Sequence, residues 1–558
     1  MNTRLIECVP NFSEGRDMNV MKQITDVIEG VEGVKLLDVD AGKATNRTVV
    51  TFVGTPEAVI EAAFLAIKKA AEVIDMSKHS GEHPRMGATD VCPLIPIAGI
   101  TMEETVEFAR KLAKRVGEEL DIPVYCYEYA AFQPDRKNLA TIRAGEYEGL
   151  PAKLKNPTWK PDFGKAEFNA KAGATVIGAR DFLIAYNFNL NTTSVRRANS
   201  VAFDVREAGR VVEKDGKKVL DENGEPLRVA GTCPATKAIG WYIEEYGIAQ
   251  VSMNLTNINV TPLHIAFDEI CKSATNRGLR VTGSELVGLV PLKVMLDAGK
   301  YFLAKQKRSV GVSEAELIKI AVKSMGMDEL KPFDPKKKII EYLLQDEKDS
   351  PLIHMKLNAF ADETASESPA PGGGSISAYV GALGVSLGTM VANLSSHKKG
   401  WDEQWETFSD WAAQGQSLKD QLLRLVDEDT KSFNAIMSAF GMPKATDAEK
   451  QQRQAAIQAA TKYAIEVPLK VMELSLKSFD LLKAMAEIGN PNSVSDAGVG
   501  AMCAATAVRG AGLNVRINAS GYKDADFVAK VLAQATTYEQ QAIDLEKEVL
   551  AVVYDKIK

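Results

Sequence analysis

Two of the five histidines in this 558-residue chain fall in one stretch, Met76 to Pro93, which reads MSKHSGEHPRMGATDVCP. His79, Glu82 and His83 spell H-x-x-E-H, a spacing that on an unbroken helix sets two imidazoles one turn apart, as zinc peptidases of the inverted type require. Gly81 between the histidines and Pro84 directly after them work against that helix, because the residue before a proline is driven to extended backbone. The expectation is therefore a loop without a metal, holding His83 between Gly81 and Pro84 while Arg85 directs a fixed charge at the same space. An imidazole titrates near neutral pH, so such a loop suits proton transfer on and off nitrogen in an anionic substrate. A capping or surface histidine is the competing reading of the same residues.

Those residues need elements to hold them, and the length prior of about 150 residues per domain predicts three or four units. A composition of 45% hydrophobic and 25% charged residues is that of a globular chain, so no part has to be assigned to disorder. The opening MNTRLIECVPNFSEG lacks a signal-type apolar run, and no stretch reaches the roughly 20 apolar residues that span a bilayer. These features predict a cytoplasmic protein with no membrane partner. Six cysteines stand singly, with no CxxC pair, so neither a disulfide framework nor a cysteine metal site is indicated. A net charge of -7 argues against nucleic acid as a partner and leaves any acidic substrate to local Arg and Lys.

Period-two and period-3.6 patterns predict strands at 4–9, 34–40, 47–53 and 122–127, with helices at 17–28, 55–73 and 102–119 between them, an α/β alternation around one sheet. Glu7, Asp38, Asp40 and Asn46 fall at strand ends or turns, where α/β folds place sites and where turn chemistry is the plainer account. Residues 141–182 have few clear elements and many glycines. Within them the loop Gly164, Lys165, Ala166, Glu167, Phe168, Asn169, Ala170, Lys171, Ala172, Gly173, with the later Arg180, could wrap a flat anionic ligand. A second α/β subdomain opens at Phe182–Leu190, where Asn187 and Asn189 share a face, and continues through 249–255 and a helix after Pro262. His264 on that helix reads as a satisfied structural histidine. Gly209 to Lys237, with Asp215-Gly216 and Asn223-Gly224 turn signals, reads as an inserted surface hairpin.

The composition changes at Lys331, and from Leu352 onward the pattern is almost wholly helical. The predicted organisation is an N-terminal α/β region of two subdomains, 1–182 and 183–334, a linker at 335–342, and a C-terminal all-α helical bundle at 343–558. In the bundle Ser377, Gly381, Gly384 and Gly388 make a small-residue stripe that lets helices approach closely. In RLVDEDTKSFNAIMSAF, Asp429 falls on the apolar face and Asp427 on the polar one. A carboxylate among apolar groups is either paired or kept for proton transfer, with its pKa raised. Asp496 begins a helix at GNPNSVSDAG, where N-capping explains it equally.

ECVPNFSEG, LLDVDAG with TNRTV, HSGEHPRMGATDVCP, IRAGEYEGL, GATVIGARDFLIA, GSELVGLVPLK, PAPGGGS, VDEDTKSF and GNPNSVSDA together resemble, in this order, the formimidoyltransferase-cyclodeaminase family of histidine degradation. The resemblance implies an N-terminal two-part α/β transferase that moves a formimidoyl group from N-formimidoyl-L-glutamate to tetrahydrofolate, a co-substrate with a possible polyglutamate tail. It further implies a helical cyclodeaminase that closes 5-formimidoyltetrahydrofolate to 5,10-methenyltetrahydrofolate with loss of ammonia. On this resemblance His83 is the transferase's catalytic histidine, Gly164 to Gly173 its folate-contacting loop, and Asp429 the cyclodeaminase's catalytic acid. Asp40 or Glu82 would orient His83, and Arg47, Arg85 and Arg180 would pair with substrate carboxylates. The small-residue stripes point to a homo-oligomer. The insertion at 209–237 is longer than the family pattern. A transferase with a degenerate bundle and a non-catalytic folate-binding assembly protein are the alternative readings.

Overall fold

The computed structural model describes residues 4–43, 45–81, 84–215, 217–222, 224–344 and 350–558. It divides into two units, Met1–Val294 with Met325–Leu344, and Met295–Ser324 with Gln345–Lys558.

The first unit begins with β1 (Leu5–Cys8), β2 (Asn11–Phe12), α1 (Met18–Glu29), β3 (Val34–Gly42), β4 (Arg47–Gly54), α2 (Pro56–Val73), β5 (Thr89–Ala98), α3 (Met102–Glu119) and β6 (Val124–Glu128). Two short helices, α4 (Leu139–Arg143) and α5 (Glu146–Lys155), lead to β7 (Thr175–Ala179). β1 and β2 lie successively between β4 and β5, so the sheet runs β3, β4, β1 with β2, β5, β7, β6. It is antiparallel from β3 to β5 and parallel from β5 to β6. Ile6, Cys8, Phe52, Cys92, Leu94 and Ile177 bury one face in a single core with Met21 and Ile24 of α1 and Ala63 and Ile67 of α2. Strand alternation sends Glu7 and Tyr127 to the other face, where both are nevertheless buried.

The second sheet of this unit starts with β8 (Ile184–Leu190) and α6 (Val195–Val205). The insertion follows as β9 (Arg210–Val211), β10 (Glu213–Lys214), β11 (Lys217–Lys218) and β12 (Arg228–Val229), paired as two short ribbons. It lies on the surface, as expected from its turns, with Leu220, Leu227 and Val229 exposed. Gly216 and Asn223 of the two turns lie outside the described residues. β13 (Thr236–Ile243), β14 (Ile248–Leu255), α7 (Leu263–Asn276) and β15 (Val281–Val287) complete an antiparallel sheet in the order β13, β14, β8, β15. Phe188 of β8 meets Phe267 of α7 at 6.1 Å between ring centroids. On the opposite face Gln250 donates to Asn189 at 2.8 Å, and Asn189 donates to Glu329 at 2.6 Å, so the buried amides of this face satisfy one another.

Four helices follow: α8 (Leu292–Lys305), α9 (Glu314–Met325), α10 (Pro335–Lys338) and α11 (Ile340–Leu344). Two boundaries differ from the sequence expectation here. Residues 335–342 are not a free linker, because Ile339 and Ile340 are buried, Ile339 bridges to Val290, and Glu341 accepts from the Leu292 amide at 2.7 Å. Met295–Ser324 belongs with the helical unit and not with the α/β region. The reason is a docked turn: the Gly311 carbonyl accepts from Asn393 at 2.8 Å and Gln416 at 3.1 Å, and a Cβ at 311 would stand 2.3 Å from Ala412.

The second unit is all-helical, as expected: α12 (Leu357–Thr364), α13 (Gly373–Ser396), α14 (Trp405–Gly441), α15 (Asp447–Ile488), α16 (Val494–Ala519) and α17 (Ala525–Lys556). α13 is central. A Cβ at Gly381 would stand 2.6 Å from Ser475 of α15, and one at Gly384 would stand 2.8 Å from the Gly500 carbonyl of α16, so the small-residue stripe serves helix packing. Among the described residues α13 is the one helix long and apolar enough to cross a bilayer by composition, and it is mostly buried in this bundle.

Candidate active sites

The stretch from Met76 folds as a single 3-10 turn, Met76–Lys78, and its other described residues before β5, 79–81 and 84–88, lie outside any helix. His79 Nε2 lies 2.9 Å from the Asn46 carbonyl, which can only accept, so Nε2 carries the proton and Nδ1 is left to accept from Arg85 Nε at 3.3 Å. Both ring nitrogens are thereby used in holding the loop. A Cβ at Gly81 would stand 2.3 Å from the Thr45 carbonyl, so glycine is what lets the loop lie on the Thr45–Asn46 turn. Asn46 braces that turn by accepting from Gly15 N at 3.0 Å and donating to Ser80 O at 2.9 Å. Glu82 and His83 lie outside the described residues. Among the described residues no group of three His, Cys, Asp or Glu side chains converges as a metal site.

Pro84, directly after that pair, lines a cleft of about 850 Å³. Its walls carry Lys137, Arg143, Arg180 and Lys237, set against Glu128, Glu146 and Asp181, with Tyr127 and Asn254 between them. Of the three arginines singled out in the sequence, only Arg180 reaches this cleft. Arg85 is bound by Glu148 at 2.6 Å and Glu146 at 3.1 Å, and both acids come from the IRAGEYEGL segment. Arg47 is buried against Asp90 and Asn11. Asp90, fully buried, also holds Arg143 and accepts from the Met86 amide at 3.0 Å, so one carboxylate fixes two guanidinium groups. Arg143 is, with Lys137 and Lys237, a cleft residue that sequence reasoning missed. It stood inside a quoted motif, but only the fold shows that its neighbours' acids go to Arg85 while it faces the cleft.

Asp40 lies elsewhere, exposed in a second cavity of about 300 Å³ with Asp38, Glu285, Lys331 and Lys338. Burial raises the Asp38 carboxyl above its ordinary range, and Lys338 opposes the shift. Glu7 pairs in register with Ile95, and Arg180 follows Ala179, the partner of Leu94, so the two side chains share one row and one face of the sheet. Burial pushes the Glu7 carboxyl up to about 7, against the downward pull of Arg180.

The loop from Gly164 to Gly173 does not line the 850 Å³ cleft. It packs beneath the central stretch: the Lys171 carbonyl accepts from Met76 N at 2.9 Å and the Ala172 carbonyl from Ala88 N at 2.8 Å. Lys165 pairs with Asp121 at 3.0 Å and Lys171 donates to the Glu72 carbonyl at 2.6 Å, so both cations are already engaged. Phe168 is exposed, its ring 5.4 Å from that of Tyr147.

In the helical unit, a cavity of about 140 Å³ is lined by Pro369, Gly373, Asp429, Phe433, Asn514 and Asn518, among others. It gathers the glycine run that opens α13, residues of α14 and two asparagines of α16 around one carboxyl group. Asp429 Oδ2 accepts from Ser375 N at 2.9 Å and Ser375 Oγ at 3.2 Å, which ties it to the first turn of α13. A Cβ at Gly374 would stand 2.1 Å from Asp429 Oδ1, so the glycine run admits the acid. Burial raises the Asp429 carboxyl above the usual range, and the Ser375 bonds offset this only in part. Asp427 corrects the sequence reading: it is buried, not solvated, and accepts from Leu352 N at 2.8 Å and Ile353 N at 3.2 Å. Asp496, in the first turn of α16, is not in this cavity; 18 residues separate it from Asn514, roughly 27 Å at 1.5 Å per residue.

The chain resembles known proteins along nearly all of its length. Residues 5–180 match the formiminotransferase domain, N-terminal subdomain; residues 185–345 match the formiminotransferase domain; and residues 356–537 match formiminotransferase-cyclodeaminase. It is 44% identical over 541 residues to a formimidoyltransferase-cyclodeaminase of Rattus norvegicus, covering 97% of each chain. A glutamate formimidoyltransferase of Thermoplasma acidophilum is 45% identical over 301 residues, 54% of this chain and 92% of that protein. A methenyltetrahydrofolate cyclohydrolase of Methylorubrum extorquens is 36% identical over 201 residues, 36% of this chain and 97% of that protein.

Proposed function

The chain belongs to the formimidoyltransferase-cyclodeaminase family, and on that premise we propose that it carries out two successive reactions on folate. The α/β unit transfers the formimidoyl group of N-formimidoyl-L-glutamate to N5 of tetrahydrofolate. The helical unit closes the product to 5,10-methenyltetrahydrofolate and releases ammonia. The observation that carries this reading is the full-length match to a protein with both activities in its name, with shorter relatives matching about half and about a third of the chain.

In the transferase, attack of N5 on the formimidoyl carbon gives a tetrahedral centre, and its collapse must protonate the departing glutamate nitrogen. His83 takes the proton from N5 and returns it to that nitrogen, a two-way transfer suited to an imidazole. Arg180 and Arg143, with Lys137 and Lys237, bind the carboxylates of glutamate and of the folate tail, which brings two anions together in a chain that is itself anionic. The loop 164–173 contributes to folate binding through its exposed Phe168, whose ring offers a stacking face.

In the cyclodeaminase, N10 attacks the formimidoyl carbon while the terminal nitrogen leaves as ammonia and N10 gives up its proton. Asp429, its carboxyl raised by burial, delivers a proton to the leaving nitrogen. We place the enzyme in the cytoplasm as a homo-oligomer. Leu513 and Ile517, about 70% exposed on adjacent turns of α16, are the apolar surface a second copy would cover.

One assay tests the whole reading. Purified enzyme given formimidoylglutamate and tetrahydrofolate should produce methenyltetrahydrofolate absorbance and an equal amount of ammonia. Formimidoyl transfer without ammonia would leave only the transferase, and folate binding without turnover would remove both activities.

A further inference from the structure

Asn514 and Asn518 stand one turn apart on α16, on the wall of the 140 Å³ cavity that holds Asp429. Each points its amide nitrogen at a main-chain carbonyl: Asn514 Nδ2 donates to Gly510 O at 3.0 Å and Asn518 Nδ2 to Ala464 O at 2.7 Å. A carbonyl only accepts, so these bonds identify the nitrogen of each amide and use one of its two N–H groups. Neither side-chain oxygen has a hydrogen-bond partner among the described residues. The hydroxyl donors of the same wall are spent, since Ser432 donates to the Asp429 carbonyl at 2.7 Å and Thr430 meets Ser375 Oγ at 3.3 Å. Asp429 Oδ1 has no partner either, its Oδ2 alone taking the Ser375 bonds. The cavity thus carries unpartnered oxygens on three side chains, two amide and one carboxyl. Its volume of about 140 Å³ admits a small polar group beside Asp429.

An acceptor-lined cavity of that size is complementary to a small, planar, N–H-rich cation. Resting on the cyclodeaminase reading above, we propose that Asn514 and Asn518 are positioning residues that bind the N–H groups of the substrate's formimidoyl end and hold the nitrogen against Asp429 until it leaves. The formimidoyl nitrogen is protonated in its amidinium form and keeps N–H bonds through the tetrahedral stage. When the carbon–nitrogen bond breaks, the nitrogen takes the bonding pair and leaves as ammonia, still offering three donors. The same oxygens therefore serve substrate, intermediate and product, and they dictate which nitrogen faces the acid.

The test uses the full chain and supplied 5-formimidoyltetrahydrofolate. Asn514→Leu and Asn518→Leu should each lower the cyclisation kcat by 10- to 100-fold with little change in KM, while transferase turnover of the same preparation stays at the wild-type level. Asn514→Asp separates positioning from structure, because it loses the donor to Gly510 as leucine does but keeps a side-chain oxygen on the cavity wall. It should retain at least fivefold more activity than Asn514→Leu. Formamidinium should inhibit wild-type cyclisation competitively and tetramethylammonium, a cation without N–H donors, should not; Asn514→Leu should weaken the formamidinium inhibition at least tenfold. Equal loss in the Asp and Leu variants, or equal inhibition by both cations, would overturn the proposal while leaving the cyclodeaminase reading in place. A wild-type chain that releases no ammonia would overturn both.

Discussion

Asp429 Oδ2 accepts a hydrogen bond from the backbone amide of Ser375 at 2.9 Å, so the acid on α14 is held at the opening turn of α13. Two residues earlier, Asp427 accepts from two amides of a different segment, Leu352 and Ile353. The two carboxylates therefore fail differently. Asp429→Asn should cut cyclisation at least 100-fold while the melting temperature and transferase activity hold, since the amide keeps the Ser375 contact but has no acidic proton. Asp427→Asn should leave one buried amide poorly satisfied and cost about 1–3 kcal/mol of stability, read as a lower melting temperature. Loss of ammonia release in a fully stable Asp427→Asn variant would exchange the roles.

His83→Ala should abolish formimidoyl transfer and spare cyclisation of supplied 5-formimidoyltetrahydrofolate. His79→Ala should act through stability, because both nitrogens of His79 are engaged in bracing the loop against Asn46 and Arg85. Steady-state rates for both half-reactions and a melting curve for each variant separate the two cases. Near-normal transfer by His83→Ala would end the assignment.

Arg180→Ala should raise the KM for formimidoylglutamate by about 10- to 100-fold, the size of one charge-assisted hydrogen bond of roughly 1.5–3 kcal/mol. Arg85→Ala should not act in this way, since its guanidinium is taken by Glu146 and Glu148. An unchanged KM in Arg180→Ala would remove it from substrate binding.

Glu7 predicts a pH dependence of stability. In the unfolded chain its carboxyl titrates near the ordinary 4.5, and in the folded chain near 7, so between these values the folded state holds the extra proton. Stability is therefore present in full below pH 4.5 and falls as pH rises through 7, by about 3 kcal/mol at most. Glu7→Gln removes this loss. Its melting temperature should match wild type near pH 4 and exceed it at pH 8, and parallel curves across that range would exclude the effect.

A fragment beginning at Met295 should melt higher than one beginning at Gln345, although both should be helical. The shorter one leaves Asn393 and Gln416 without the Gly311 carbonyl, and Ser409 without the Val310 amide that donates to it at 3.0 Å. Equal melting temperatures would mean that the docked turn contributes nothing.

The sequence by itself determined what depends on local pattern. Hydrophobic periodicity placed most of the long helices and strands of the α/β region, the all-helical half and the inward position of Asp429, because burial of one face imposes a period that can be counted along the chain. The same count put Asp427 on a solvent face, and there it failed. Whether a polar helix face meets water depends on what else covers it, and the amides of Leu352 and Ile353, about 75 residues away in sequence, needed an acceptor. β5 was not legible as a strand because Pro93 and Pro96 interrupt its donors, yet it sits between β1 and β7, where its carbonyls are used, Pro93 O accepting from Val9 N at 3.2 Å. The arginines show the limit most plainly. Arg85, Arg143 and Arg180 are alike in sequence, and only the fold brings Glu146 and Glu148 to the first and Asp90 to the second, and sets the second and third on the cleft wall. Pairing between charges is set by long-range register, which no local period encodes.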